Sequence, residues 1–325
     1  MDNIRTDLAI EAAALYNKSA EDIDKIDGVK VKTEETEGIK VTHVQIVNEN
    51  GEKTIGKKMG NYITIDSPKI RENDEDAFEK TSVVLSEKLK EILNLKKNST
   101  VLAVGLGNWN VTPDALGPKV ISNLLVTRHL FEYVPSHLDE NTRPVCAVSP
   151  GVLGLTGIET SEIIKGITDM IKPDIIIAID ALASRKTDRI STTIQIADTG
   201  ITPGSGIGNK RKGLDKEYLG VPVIAIGVPT VVDAATVAND AIELLIENIS
   251  NSANDDSYMK KIADSFDIEH RYPLIKEVLT PYVGNLIVTP KEVDGIIEEV
   301  SKIIANGINN AVLEHSELST SQKPL

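Results

Sequence analysis

Ile175-Ile176-Ile177-Ala178-Ile179-Asp180 is the stretch on which the fold turns. Five apolar residues in succession offer water no polar edge. That marks a strand covered on both faces, as in a parallel sheet between two layers of helices. Outward from this stretch the same pattern repeats. Upstream lie a strand at 101–106, a helical span at 117–131, a second strand at 145–148 and a helix at about 159–171. Downstream come a strand at 194–197, a glycine-rich loop, a strand at 223–226 and a helix at about 233–249. Strands alternating with helices predict βαβ units, so the expected fold is α/β, with a doubly wound and mostly parallel sheet over residues 96–325.

Residues 8–95 read as a β-rich N-terminal extension of the same catalytic unit. β-like runs at 41–47 and 62–65 flank Asn48-Glu49-Asn50-Gly51, whose Asn-Gly predicts a hairpin turn. A helix follows over about 77–93, with Val83, Leu85, Leu89 and Ile92 near one face. Near the C-terminus, Thr289 as N-cap, Pro290 and Glu292 spell a capping box ahead of the apolar stripe Val293, Ile296, Ile297, Val300, Ile304 and Ile308. Residues 250–269 read as a polar surface excursion and the tail after about 315 as a frayed end.

With 41% hydrophobic but only 3% aromatic residues, the core of this 325-residue chain must come from Ile, Val, Leu and Ala. Thirty-five basic against 49 acidic residues give a net charge of −14, which repels phosphate backbones and argues against nucleic-acid binding. No apolar run approaches a membrane span and no secretory signal opens the chain, so the expectation is a soluble cytoplasmic protein. Cys146, the only cysteine, excludes a disulfide framework and reads as a buried structural thiol rather than a nucleophile.

Ligands of open α/β sheets bind beyond the carboxyl ends of the strands, which selects the loops 105–118, 180–186 and 198–212. Gly105-x-Gly107 lacks the third glycine of a dinucleotide fingerprint, since Asn110 stands in its place. Gly204-x-Gly206-x-Gly208 before Asn209-Lys210-Arg211-Lys212 reads equally as an anion cradle or a solvent loop. Asp114 is either the N-cap of the helix it precedes or a functional carboxylate. Asp180 ends the apolar run, where burial raises a carboxyl pKa and substrates bind; otherwise it is a buried acid bonded to loop amides. Two such carboxylates can share one proton, the ionised one activating water and the protonated one donating to a scissile carbonyl. The same pair also suits a hard cation, which leaves metal-assisted hydrolysis as the alternative.

Ala197-Asp198-Thr199-Gly200 matches the motif of pepsin-like enzymes, yet those all-β proteins need two copies and this chain has one. No Gly-x-Ser-x-Gly or His-Glu-x-x-His occurs, and the five histidines are scattered, so neither a metal site nor a cofactor is assigned.

Longer strings carry a resemblance. They include Ile4-Arg5-Thr6-Asp7-Leu8-Ala9, Arg71-Glu72-Asn73-Asp74, Val104-Gly105-Leu106-Gly107-Asn108-Trp109-Asn110-Val111-Thr112-Pro113-Asp114, Ala178-Ile179-Asp180-Ala181-Leu182-Ala183 and Val228-Pro229-Thr230-Val231-Val232-Asp233-Ala234. Through these the chain resembles the germination proteases of spore-forming bacteria over nearly its whole length. The resemblance implies an endopeptidase of the spore core that starts the degradation of small acid-soluble spore proteins during germination. It implies a homotetramer, made as a zymogen that cuts itself between Asp7 and Leu8, so that residues 1–7 are a propeptide and 8–325 the mature chain. The family's proposed catalytic carboxylates fall on Asp114 and Asp180, in an arrangement similar to that of hydrogenase-maturation proteases, whose α/β core is the expected one. Against the net charge of −14, Arg185, Lys186 and Arg211 are the candidates to hold an acidic substrate residue.

Overall fold

The stretch around Ile177 becomes an inner strand of a nine-stranded sheet. The structure is a computed structural model that describes residues 6–14, 26–72, 74–138, 142–202, 212–252, 268–284 and 286–313. Its strands are β1 (Val29–Thr36), β2 (Ile39–Ile46), β3 (Gly60–Asp66), β4 (Val101–Gly105), β5 (Val145–Val148), β6 (Ile175–Ser184), β7 (Thr193–Ala197), β8 (Val223–Asp233) and β9 (Ile287–Val288). The helices that matter below are α1 (Ala9–Ala14), α2 (Glu49–Ile55), α3 (Glu75–Leu93), α4 (Leu116–Asn123), α5 (Arg128–Tyr133), α6 (Thr160–Ile171), α7 (Ala234–Ser252), α8 (Ile268–Val283) and α9 (Val293–Val312).

The strands lie in the order β1-β2-β3-β7-β8-β6-β4-β5, with β9 on β8. The fold is α/β as expected, but the sheet is mixed rather than mostly parallel. Only β5-β4-β6-β8 pair in parallel; β7, β3, β2 and β1 continue the sheet antiparallel, and β9 is antiparallel to β8. Chain length explains part of this. Residues 185–192 between β6 and β7 fall short of the dozen or so that a parallel crossover needs.

Helices cover both faces. Ile175, Ile177 and Ile179 of β6 face the larger core, with Leu85 and Leu89 of α3, Leu116 and Val120 of α4, and Ile297 and Ile304 of α9. Ile176 and Ala178 face the other way, onto Ile164 of α6. Under α1 lies a third cluster, in which Ala9, Ala12 and Ala13 meet Val44, Tyr62 and Ala225.

Three local expectations fail for local reasons. Asn48 does not open a hairpin turn. Its Oδ1 accepts from the Gly51 N–H at 2.9 Å and caps α2, so Asn50-Gly51 lies inside a helix. The span 117–131 is two helices, because Leu124 turns extended (φ −78, ψ 145) and Thr127 bonds to the Arg143 carbonyl and the Val145 N–H instead of continuing the helix. The last helix starts at Val293 with no side-chain cap, while Thr289 donates to the Thr230 carbonyl at 2.9 Å. The excursion at 250–269 and the tail lie mostly outside the described residues.

Candidate active site

After β4 the chain crosses through α4 and α5 to β5 on one side, then returns through α6 to β6 on the other. That change of direction opens a crevice at the carboxyl end of β4. Two glycines let α4 start close against the strand: a Cβ on Gly105 would stand 2.3 Å from the Gly117 carbonyl oxygen, and one on Gly117 2.2 Å from that of Leu106.

Pairing of β4 with β6 stops at Gly105 opposite Ile179, and the Leu106 N–H closes it on the Ile179 carbonyl at 2.8 Å. Asp180 is the next residue. The sequence suggested that its strand ends there; in fact β6 runs to Ser184, with a register shift between Leu182 and Ala183. Asp180 reaches the crevice because its neighbour β4 stops. It is only 6% exposed, and its Oδ1 accepts from the Ala181 N–H at 2.9 Å.

The loop after β4 brings in Asp114. Gly107, at φ +112, allows a turn so tight that a Cβ would meet the Asp114 carbonyl at 2.0 Å. The Asn108 N–H donates to both the Asp114 carbonyl, at 3.1 Å, and its Oδ2, at 2.8 Å. Asp114 therefore fastens its own loop and is not the N-cap of α4; Ala115 holds that position without a side-chain bond.

Asp114 and Asp180 line one cavity of about 390 Å³, together with Asp7, Thr202, Thr230 and Thr289. Asp7 belongs to an N-terminal segment laid along the end of β6. Its N–H donates to the Ala183 carbonyl at 3.2 Å, and its Oδ2 accepts from the Ala183 N–H at 3.0 Å. A second cavity of about 290 Å³ shares Asp7, Leu182 and Thr202 with the first and is lined by Lys57, Tyr62 and Gln195. From that side Lys57 Nζ donates to the carbonyls of Thr6, at 3.2 Å, and Asp7, at 3.0 Å. Gln195 Nε2 donates to the Asp7 carbonyl at 3.2 Å, while its Oε1 accepts from the Ala9 N–H at 2.6 Å.

Lys57 is half-buried as a residue, yet enclosure of its ammonium pushes its pKa below the usual lysine value, against the pull of the Asp7 and Glu11 carboxylates. Leu8 is wholly buried, and its N–H donates to Thr6 Oγ1 at 3.1 Å. That hydroxyl in turn donates to Glu11.

Arg185 and Lys186 sit beside this segment, but their main-chain N–H groups make the contact, donating to Glu11 at 2.8 and 3.2 Å. Arg189 adds an ion pair to Glu11 at 3.5 Å and another to Asp66 at 2.8 Å. Arg211 and the loop Gly204–Gly208 lie outside the described residues. Asp198 accepts from the Asn61 N–H and side-chain amide at 2.8 and 2.6 Å, a structural role that uses both its oxygens. Burial pushes the Cys146 thiol pKa up, away from nucleophile chemistry. Among the described residues no three His, Cys, Asp or Glu side chains gather to hold a metal ion.

Sequence reasoning missed Glu11, Lys57, Arg189 and Gln195. Gln195 left a trace, a lone amide between Ile194 and Ile196 in an apolar strand; Lys57, beside Lys58, reads like any solvated pair.

A mixed α/β sheet with aspartates at its switch crevice, and a piece of its own N-terminal polypeptide hydrogen-bonded beside them, defines a peptide-holding cleft. The family model described as germination protease matches residues 9–266 and 247–323. The germination protease of Caldanaerobacter subterraneus is 54% identical over 95% of this chain and 94% of its own length. That of Clostridium acetobutylicum is 53% identical over 99% of both chains, and that of Bacillus subtilis 46% identical over 98% of this chain and 95% of its own. The chain belongs to the germination protease family, and its coarse activity follows: it is an endopeptidase. Among the described residues no helix is long and apolar enough to cross a membrane.

Proposed function

We propose that this endopeptidase uses Asp114 and Asp180 as a pair that activates water, one ionised to take a proton from it and the other protonated to donate to the scissile peptide group. Its first substrate is itself, cut between Asp7 and Leu8, which makes residues 1–7 a propeptide. Residues 8–325 then act as one catalytic unit, with 8–95 the extension and 96–325 the core. The mature enzyme, a homotetramer in the spore core, opens the degradation of small acid-soluble spore proteins. The observation that carries this reading is the presence of Asp7, Asp114 and Asp180 around one cavity, with Asp7 bonded both ways to Ala183.

The Ala183 N–H, which takes up the Asp7 carboxylate, is the proposed reader of acidic substrate residues, together with the side chains of Arg185, Lys186 and Arg211. Charge reversal at each of the three, assayed on Glu- and Gln-containing substrates, tests that assignment.

The central test follows intact mass over time at mildly acid and neutral pH. The wild-type chain should lose residues 1–7. Asp114→Asn and Asp180→Asn should each cut at least ~10³-fold more slowly, as expected when two groups act as a unit. Either variant cutting at the wild-type rate removes the dyad. Metal-assisted hydrolysis at the same carboxylates predicts instead that exhaustive chelation abolishes cleavage, whereas the dyad predicts that cleavage persists.

A further inference from the structure

The carbonyl of Asp7 is the one at which the proposed self-cleavage takes place, and two side chains already point hydrogen bonds at it from the side of the second cavity. Lys57 Nζ reaches its oxygen at 3.0 Å and Gln195 Nε2 at 3.2 Å. The sheet sets this up. β7 pairs Gln195 with Gly227 of β8, and β6 pairs Asp180 with the same Gly227. Residues in register point to the same face, so Gln195 and Asp180 flank a position that has no side chain of its own. The aspartates line the first cavity and the two donors the second, and Asp7 lines both.

Gln195 is pinned as well as pointed. Its Oε1 holds the Ala9 N–H at 2.6 Å, which fixes the amide so that Nε2 faces Asp7. Lys57 directs two hydrogen bonds to main-chain carbonyls, those of Thr6 and Asp7, where a surface lysine would seek water or a carboxylate.

We propose that Lys57 and Gln195 are catalytic residues that take up the negative charge developing on the Asp7 carbonyl oxygen during hydrolysis of the Asp7–Leu8 bond. The inference rests on the self-processing reading above. Water adds through its oxygen to the Asp7 carbonyl carbon and gives one proton to the ionised aspartate. The carbonyl oxygen becomes an oxyanion against the ammonium and the amide, donors fixed before the charge appears. The carbon–nitrogen bond then breaks as the protonated aspartate passes its proton to the Leu8 nitrogen. One water is consumed, an Asp7 carboxyl and a Leu8 amine result, and the aspartate pair still holds one proton. With the carbonyl oxygen served by Lys57 and Gln195, the proton of the acid member goes to the leaving nitrogen.

The charges facing Lys57 are Asp7 and Glu11, which favour its ammonium form, while burial opposes it. Nearby, Lys58 is paired with Asp215 at 2.7 Å, and burial pushes the Tyr62 pKa up to about 12. The ammonium is the active form, so cleavage falls as pH rises through the lowered pKa of Lys57. A guanidinium keeps its proton throughout that range.

The experiment measures self-cleavage of the full chain by intact mass across pH, with melting temperatures, for Lys57→Met, Lys57→Arg and Gln195→Glu beside Asp180→Asn. Gln195→Glu keeps an acceptor for the Ala9 N–H and removes the donor toward Asp7. Lys57→Met and Gln195→Glu should each slow cleavage by about 10² or more while melting near the wild type. Lys57→Arg should restore cleavage, and the fall with rising pH that remains belongs to the protonated aspartate. Wild-type rates in the Met variant, or no rescue of cleavage by the Arg variant, overturn the proposal even if Asp180→Asn is inert. If the Met variant does not fold, Gln195→Glu decides, and a wild-type rate there overturns the proposal. A full chain that digests an acid-soluble spore protein but never cuts after Asp7 overturns this inference and leaves the protease reading standing.

Discussion

Glu11 is a carboxylate drawn out of water, 5% exposed, and bonded to the N–H groups of Arg185 and Lys186, the Thr6 hydroxyl and the Arg189 guanidinium. Burial outweighs these partners and raises its pKa above the ordinary 4.5. An acid whose folded pKa is raised gives the folded state an advantage that is complete below the unfolded pKa and is lost as pH climbs through the folded one. Measured against Glu11→Gln, the wild type should therefore lose relative melting temperature as pH rises from below about 4.5 toward neutral. A wild type that gains on the variant over that range would show that the hydrogen bonds dominate instead.

Glu11 and Lys57 were illegible in the sequence, and Gln195 left only the trace of a lone amide, because their partners are distant in the chain: Lys57 meets Asp7 across 50 positions, and Gln195 meets Ala9 across 186. Asp180 and Asp114 stood out because each breaks a local pattern, one at the end of an apolar run and the other in a glycine-flanked loop after a strand.

At the scale of elements, the contact between β4 and α4 positions the Asp114 loop and tolerates no side chain at its two glycines. Gly105→Ala should cost about 2–3 kcal/mol, as overpacking of a closed contact does. Gly166→Ala, on the exposed face in the middle of α6 with nothing within 4 Å, should instead gain about 0.5–1 kcal/mol from helix propensity. Chemical denaturation of both variants checks the contrast, and equal effects would refute it.

The βαβ alternation was legible because buried parallel strands are written as unbroken apolar runs. The antiparallel half was not, since strand direction depends on connection length and on partners across the sheet. Asn48 shows the limit of a local signal. The same residue types serve a hairpin turn or a helix cap, and packing decides: a Cβ on Gly51 would stand 2.6 Å from the Gly28 carbonyl, so this turn of α2 lies directly on the start of β1.

For the whole molecule, Leu274, Val278 and Tyr282 recur every fourth residue along α8 and are 58, 63 and 83% exposed. Residues four apart share a helix face, so these three form an apolar stripe that the described residues leave exposed. Covering it against another copy is the physical expectation of the homotetramer reading. Native mass spectrometry should then find four copies of the 35.2 kDa chain, and Val278→Asp should shift the population to smaller species. A monomeric wild type removes that reading.

Leu8, Ala9, Ala12 and Ala13 are buried, and α1 contributes to a core cluster. A cut before Leu8 therefore yields an amine that cannot diffuse away, because it is anchored in the body that made it. Until the peptide ending in Asp7 departs, the two fresh ends stay at a high effective concentration and resealing competes with escape. Its new carboxylate also gains a charge partner in Lys57. In the self-processing proposal, completion of maturation then requires fragment departure as well as bond breaking, and added free propeptide should slow it.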